Sequence, residues 1–158
     1  MIRNVSGDRA YSETFLEMYR EYIADLKAVE PKVDDAITIT GIYNIFYDRK
    51  IKIFFCFAEG KIVGFVMVRE DDTRADLYIA ETYIDRRYRR RRIGTRCIEE
   101  LLSLYDGIVH LDILKKNYDA IRFWGRVMRE REDISLGNAT EDELCIEKFF
   151  KIKKAVDE

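Results

Sequence analysis

The stretch ETYIDRRYRRRRIGTRCIEELL, from Glu81 to Leu102, changes character along its length. Its start continues the alternating run ADLYIAETYID, which predicts a strand that ends near Asp85. Its end belongs to an amphipathic helix, because Ile93, Cys97 and Leu101 recur at helical spacing. Between the two lies RRYRRRR, with six arginines in the seven positions 86–92. The stretch therefore predicts a strongly basic turn that leads from a strand into the N-terminus of a helix.

This basic turn has three properties that attract an anion. Removing its six arginines from the 28 basic residues leaves 22 against 30 acidic ones, so positive charge is concentrated here in an otherwise acidic chain. A helix N-terminus offers free N–H groups and the positive end of the helix dipole. Guanidinium groups match phosphate oxygens, and Gly94 permits a positive φ and a close approach of the ligand. We therefore predict a phosphate-binding turn, although the GxxxxGK(S/T) and GxGxxG patterns are absent.

The segments before this turn predict two helices and three strands. Their apolar spacing and turn residues indicate the boundaries. The predicted elements are a short strand in Met1–Ser6, a helix from Ser12 to just before Pro31, a second helix from Asp34–Asp35 through Phe46, and strands at 52–58 and 62–68 joined by a turn at 59–61.

The segments after the turn predict a helix up to about Tyr105, a buried strand at Ile108–Leu114 and a helix from about Asn117. Two further strands are expected around 134–136 and 144–152. Together the elements predict an α/β (α+β) fold with a mixed, mostly antiparallel central sheet and helices on both faces. At 158 residues the length suggests a single domain over 1–158.

Composition excludes several other classes of protein. Disordered chains combine low hydrophobicity with high net charge, whereas this one is 47% apolar and 13% aromatic. Apolar runs such as IVGFVMV are far shorter than the roughly 20 residues of a membrane span, and MIRNVSGDRA lacks the apolar stretch of a signal peptide. We expect a cytoplasmic protein without membrane association.

The three cysteines are widely spaced and His110 is the single histidine, so we also expect no metal site.

Two segments resemble consecutive motifs of the GNAT-superfamily N-acetyltransferases. The first motif is a strand, then V-x-P-x-Y-R-x-x-G-x-G/A, then a helix; the second is N-x-x-A-x-x-F-Y. Their order, their separation and the predicted order of elements all fit that family, so the resemblance implies a GNAT-like fold. The matching residues are Ile84, Tyr88, Arg89 and Gly94 in the first motif, and Asn117, Ala120 and Phe123 in the segment NYDAIRFW.

The resemblance implies acetyl-CoA as co-substrate. The pyrophosphate would lie on the backbone amides of residues 89–95, the pantetheine arm along the strand at Tyr83 and Ile84, and the thioester beside Asn117 and the helix that follows. The implied cofactor-binding residues are Tyr83, Ile84, Arg89, Arg90, Arg91, Arg92, Ile93, Gly94, Thr95, Asn117 and Trp124.

The sequence departs from the family pattern at two positions that matter for this site. Arg92 stands where the family has its first glycine, which adds a side chain to the phosphate-binding turn. Trp124 stands where the family often has a tyrosine that protonates the departing thiolate, and an indole is a poor proton donor.

The implied reaction is direct transfer of an acetyl group to a primary amine, without a covalent enzyme intermediate. An alkylamine has a pKa of about 10.4 and must lose a proton before it attacks. Glu81, three residues before Ile84, is our candidate for the general base. Tyr118 and Tyr83 are nearby substitute proton donors, and Tyr118 is our candidate for the general acid in place of the missing tyrosine. A backbone N–H near Ile84 would polarise the carbonyl group.

The acceptor amine could belong to a small molecule, a lysine side chain or a protein N-terminus. One alternative is a catalytically impaired acyl-CoA-binding module of the same fold. The other is a nucleic-acid-binding protein that uses the arginines, which the acidic pI of 5.7 makes the weaker interpretation. The apolar run LCIEKFFKI could also form the edge of a homodimer.

Overall fold

Seven strands form one sheet in the order β1-β2-β3-β4-β5-β7-β6 in the computed structural model, which describes residues 1–153. All neighbouring strands are antiparallel except β4 and β5. The mixed, mostly antiparallel sheet is therefore confirmed. The strands are β1 (Ile2–Asn4), β2 (Ile51–Ala58), β3 (Lys61–Arg69), β4 (Leu77–Ile84), β5 (Gly107–Leu114), β6 (Ile134–Glu141) and β7 (Cys145–Ile152).

Four α-helices cover the two faces of the sheet within the described residues. They are α1 (Ser12–Val29), α2 (Ile39–Tyr47), α3 (Ile93–Ser103) and α4 (Tyr118–Arg129). Side chains of a strand point alternately to its two faces, and β3 divides its buried residues in this way. Val66 and Val68 join the core under α3 and α4, while Phe65 and Met67 join the core under α1 and α2. Helices on both faces are thus also confirmed. None of the helices within residues 1–153 is long and apolar enough to cross a membrane.

The parallel pair β4–β5 separates partway along its length. The strands pair only where Leu77–Ile79 lies beside Val109–Leu111, although both continue well beyond. On the other side of β4, Glu81 pairs with Met67 and Ile79 with Val68, which leaves Ala80 as an extra residue. Such a bulge bends and twists its strand. The sheet consequently opens between the second halves of β4 and β5.

Two sequence predictions differ from the structure. The second helix begins at Ile39 rather than at Asp34–Asp35, because the Thr38 hydroxyl oxygen accepts a 3.0 Å hydrogen bond from the Gly41 N–H and caps the helix there. Asp34 instead accepts a 2.9 Å bond from the N–H of Ala36 in a local turn.

The second difference concerns the edge of the sheet. The run LCIEKFFKI forms β7, which pairs with β5 on one side and with β6 on the other. β7 is therefore an internal strand, and its apolar character follows from that position. The edge strand at this end of the sheet is β6, whose residues are mostly exposed, and β1 forms the opposite edge.

Candidate active site

A cavity of about 300 Å³ occupies the opening between β4 and β5. Glu81 of β4 faces it from one side and Asp112 of β5 from the other. Helix α1 contributes Tyr22, and Asn117 and Trp124 belong to the start and middle of the α4 segment. The cavity thus brings together residues from both motifs, which are distant in the chain.

Glu81 has an unusual ionisation within this cavity. Burial of its carboxyl group raises the pKa from 4.5 to about 8, with a smaller contribution in the same direction from the negative charge of Asp112. A carboxyl group with this pKa is partly ionised near neutral pH. It can therefore take a proton from a bound group and release it to solvent at physiological pH.

The turn after β4 presents backbone N–H groups at the start of α3. Asp85 ends the strand and accepts a 2.9 Å hydrogen bond from the Arg87 N–H, which folds residues 86–88 into a short 3-10 turn. Arg92 is the N-cap residue of α3 and makes no capping hydrogen bond with its side chain. The first N–H groups of α3 are therefore available to an anion, as the sequence predicted.

Four of the six arginines in the turn are engaged by acidic side chains. These ion pairs largely neutralise the charge of the four arginines. They stabilise the conformation of the turn and leave these guanidinium groups less available to a ligand. The pairs are Arg86 with Asp25, Arg89 with Asp25, Arg87 with Asp85, and Arg92 with Glu130, at N–O distances of 2.6, 2.6, 2.7 and 2.8 Å.

Arg90 and Arg91 differ from the other four. Neither forms an ion pair with a carboxylate of residues 1–153, and Arg91 lies over the ring of Tyr88 at 5.7 Å. These two guanidinium groups are therefore the ones in the turn that remain free to meet phosphate oxygens.

The left-handed residues of the turn are Arg90 and Arg92, with φ of 63° and 59°. Gly94 would permit a positive φ but does not adopt one, because it lies in the first turn of the right-handed helix α3. Gly94 instead allows close packing, since a Cβ atom there would lie 3.4 Å from both Ile84 and Phe123. The backbone of Arg92 is left-handed, which explains why the family has a glycine at this position.

Replacing Arg92 by glycine is expected to stabilise the protein by about 1 kcal/mol, because a left-handed conformation costs a non-glycine residue roughly 1–2 kcal/mol. The lost ion pair with Glu130 is exposed on both sides and contributes little. For a chain of this size the gain corresponds to a rise in Tm of about 2–4 °C, measured by circular dichroism. Arg91→Gly, at a residue without positive φ, is the control and should give no increase. Equal changes in both variants would contradict the assignment of strain to Arg92.

The remaining residues predicted for the site lie in different surroundings. The Asn117 side chain accepts a 3.1 Å hydrogen bond from the Ala120 N–H and caps α4, and Trp124 is 6% exposed at the cavity wall. Tyr118 is 67% exposed and does not line the cavity. The structure therefore leaves the proposed general acid outside the cavity that holds Glu81.

Tyr83 and Ile84 border the turn, and neither lines the cavity. Its hydroxyl donates a 2.6 Å hydrogen bond to Glu21 of α1, which raises the pKa of Tyr83 together with its burial. Arg89 lies over this ring and donates a 2.6 Å bond to the carbonyl oxygen of Ile84. The Tyr83 side chain is therefore engaged by α1 and by Arg89, and a ligand beside this part of β4 would meet its backbone.

The sequence analysis missed Asp112 and Tyr78 as cavity residues. The Tyr78 hydroxyl donates a 2.9 Å hydrogen bond to Asp112, which fixes the carboxylate across the opening from Glu81. Only the pairing of β4 with β5 brings the two together. The alternation within each strand could have indicated the face on which each lies, but not which strands are neighbours.

A parallel strand pair that separates beside a basic turn into a helix, with a carboxyl group in the opening, is the architecture of an acyl-CoA-dependent acetyltransferase. The chain belongs to the acetyltransferase (GNAT) family, whose family model matches residues 15–128, more than half of the chain.

Solved structures with the same fold share little sequence with this chain. PaiA N-acetyltransferase from Thermoplasma acidophilum, in complex with coenzyme A, is 14% identical with a TM-score of 0.64, covering 94% of this chain and 98% of its own. An acetyltransferase from Thermus thermophilus is 11% identical with a TM-score of 0.70, covering 94% and 96%. Arabidopsis thaliana NAA60 with a bisubstrate analogue is 16% identical with a TM-score of 0.58, covering 96% and 97%. No curated protein sequence matches the chain significantly.

Proposed function

We propose that the protein transfers the acetyl group of acetyl-CoA directly to a primary amine, with Glu81 as the general base. The observation that carries this proposal is the Glu81 carboxyl group, which faces the opening between β4 and β5 and has a pKa of about 8. A base is most effective when its pKa lies near the working pH.

Acetyl-CoA would bind along the opening and the basic turn. Its pyrophosphate would accept hydrogen bonds from the N–H groups of residues 90–95, because the N–H of Arg89 already donates to the carbonyl oxygen of Arg86. Arg90 and Arg91 would be the free cations beside it. Its pantetheine arm would lie against the backbone of Tyr83 and Ile84. The uncapped N-terminus of α3 supports this arrangement, as does the bound coenzyme A of the Thermoplasma neighbour.

Glu81 would take a proton from the acceptor ammonium group, whose pKa is about 10.4 in solution. The amine nitrogen then forms a bond to the acetyl carbon, and the carbon–sulfur bond breaks with departure of the thiolate. A thiol has a pKa of about 8.5, so the thiolate leaves far more readily than an amine. The step therefore depends less on a general acid, which fits the indole of Trp124 at the cavity wall and the exposed position of Tyr118.

The acceptor would approach from the side of the sheet covered by α1. Tyr22 and Leu26 of this helix line the cavity, as does Val33 in the segment after it. These side chains would pack on the apolar part of an acceptor and direct its amine towards Glu81. A small molecule, a lysine side chain and a protein N-terminus all carry the required group.

Release of free thiol from acetyl-CoA across a panel of amines tests this function. We expect release that depends on one class of amine and exceeds the rate without acceptor. Binding of acetyl-CoA without release for any amine would support an impaired acyl-CoA-binding module instead. Binding of RNA that acetyl-CoA does not displace would support a nucleic-acid binder. The four paired arginines disfavour that last outcome, because they leave less free positive charge for a phosphate backbone.

Replacing Asp112 by asparagine is expected to lower the pKa of Glu81, because the charge of Asp112 disfavours ionisation across the opening. The pH at which kcat/KM levels off should move below its wild-type value. The shift should be modest, since burial is the larger cause of the raised pKa. Asp119→Asn, which removes an exposed carboxylate of α4, is the control and should leave the profile unchanged. If the pH at which kcat/KM levels off stays the same or rises in Asp112→Asn, the charge of Asp112 does not raise the pKa of Glu81.

A further inference from the structure

A buried imidazole lies among carboxylates on the sheet face next to the opening. His110 of β5 is 3% exposed and is stacked between the rings of Tyr78 and Phe149, each with its centroid at 4.6 Å. These flanking rings fix the plane of the imidazole, and with it the directions in which its two nitrogen atoms point.

Both nitrogen atoms of His110 meet carboxylate oxygens. Nδ1 lies 2.7 Å from Asp72. Nε2 lies 3.0 Å from Oε2 of Glu147 and 3.4 Å from Oδ1 of Asp112. A neutral imidazole has one donor and one acceptor nitrogen. If Nδ1–H donates to Asp72, the lone pair of Nε2 faces two carboxylate oxygens, and a cation bound between them would relieve this repulsion.

The pairing of β5 with β7 gives an independent reason to expect a cation here. Asp112 and Glu147 are directly opposite each other on the antiparallel pair β5–β7, and like charges in this position destabilise a sheet. Arg74 pairs with Glu147 and lies near Asp72. With a neutral imidazole, the three carboxylates and this one arginine carry a formal charge of −2. A divalent cation would balance that charge.

We propose that His110 Nε2, Asp112 Oδ1 and Glu147 Oε2 bind a divalent transition-metal ion such as Zn²⁺. A tetrahedral ion with bonds of about 2.0–2.1 Å holds its donor atoms about 3.3 Å apart. The two distances from Nε2, 3.0 and 3.4 Å, lie on either side of this value, and all three donor atoms lie within 4.8 Å of one another. Imidazole and carboxylate ligands together suit Zn²⁺ and its neighbours in the transition series.

Outer hydrogen bonds hold each of the three ligands through its other polar atom. Asp72 contacts Nδ1 of His110, the Tyr78 hydroxyl donates to Oδ2 of Asp112, and Arg74 donates to Oε1 of Glu147. Arg74 also donates a 3.2 Å bond to Oε2 of Glu147, which that oxygen would share with the ion. Such partners orient metal ligands and fix the histidine tautomer. The side chains of Asp112 and Glu147 are 34% and 26% exposed, so water can complete the coordination.

The spacing of histidines and cysteines could not reveal this site. Two ligands alternate along β5 and the third comes from β7, so only the β5–β7 pairing assembles them. The ion would not contact the reacting atoms of acetyl transfer, although by neutralising Asp112 it would lower the pKa of Glu81 across the opening. Its binding can therefore be tested whether or not the proposed reaction takes place.

Calorimetric titration of untagged, EDTA-treated protein with Zn²⁺ tests the proposal. We expect one ion per chain. Glu147→Gln and His110→Phe should abolish binding, and phenylalanine preserves the stack between Tyr78 and Phe149. Asp72→Asn, which changes only the outer partner of Nδ1, should weaken binding by about 10–100-fold.

Glu141→Gln is the control, because it removes an exposed carboxylate of the neighbouring strand β6 and should leave the affinity unchanged. Absence of binding to the wild-type protein would overturn the proposal. Binding that survives both Glu147→Gln and His110→Phe would also overturn it, and an ion held by Cys145 would behave in this way. Should His110→Phe fail to fold by circular dichroism, Glu147→Gln decides the question.

Discussion

Replacing Glu81 by glutamine is expected to lower kcat/KM by about 10²–10⁴-fold, the usual contribution of a general base. Glutamine has nearly the same size but cannot take the proton of the acceptor ammonium group. Affinity for acetyl-CoA should be nearly unchanged, because the phosphate groups would lie at the turn before α3, away from Glu81. Steady-state kinetics measure the first effect and calorimetry the second. An equal loss in both would assign Glu81 a structural role instead.

The pH dependence makes this prediction sharper. In the wild-type protein kcat/KM should rise with pH and level off near pH 8, as Glu81 becomes ionised. In Glu81→Gln it should continue to rise towards the amine pKa of about 10.4, because only free amine remains to react. The loss is therefore greatest below pH 8 and shrinks above it. If kcat/KM of Glu81→Gln still levels off near pH 8, Glu81 is not the general base.

Thermal unfolding provides a check on the same pKa that does not need activity. Glu81 binds its proton more tightly in the folded state, because the pKa rises there from 4.5 to about 8. The stability that this group contributes is fully present below pH 4.5 and is lost as the pH rises through 8. The Tm of the wild-type protein should therefore fall relative to that of Glu81→Gln across this interval.

Replacing Gly94 by tryptophan is expected to abolish measurable binding of acetyl-CoA in calorimetry, a loss of at least about 100-fold. An added Cβ atom already lies 3.4 Å from Ile84 and from Phe123, so an indole has no room between β4 and α4. It must turn outwards across the N-terminus of α3, where the pyrophosphate would bind. Retained affinity would contradict the location of the phosphate site.

Gly94→Ala is the matched control for this substitution. A methyl group at 3.4 Å is at the tight end of ordinary packing, and helix α3 favours alanine over glycine by roughly 1 kcal/mol. We expect affinity within about threefold of the wild type and equal or higher Tm, in keeping with the Gly/Ala choice of the family at this position. A comparable loss of affinity in both variants would show that the glycine matters for packing alone.

Much of the site could be predicted because its signals are local. A strand, a run of arginines and a helix are adjacent in the chain, and Asn117 begins a helix just as the second motif indicates. The partners of the arginines could not be predicted, since Asp25 lies about 60 residues before Arg86 and Arg89 and only the packing of α1 brings them together. The raised pKa of Glu81 likewise depends on a neighbouring strand, which no local pattern reveals.

The extra residue Ala80 has a consequence for the ligand-free protein. Because β4 bends away from β5, the backbone groups of its last residues that do not pair with β3 face an internal edge of the sheet, where Arg89 already donates to the carbonyl oxygen of Ile84. Buried backbone groups need partners, and a coenzyme whose flexible arm contains amide groups can supply them as a surrogate strand. Under the proposed function, the missing hydrogen bonds between β4 and β5 would thus form a binding groove made of main-chain groups.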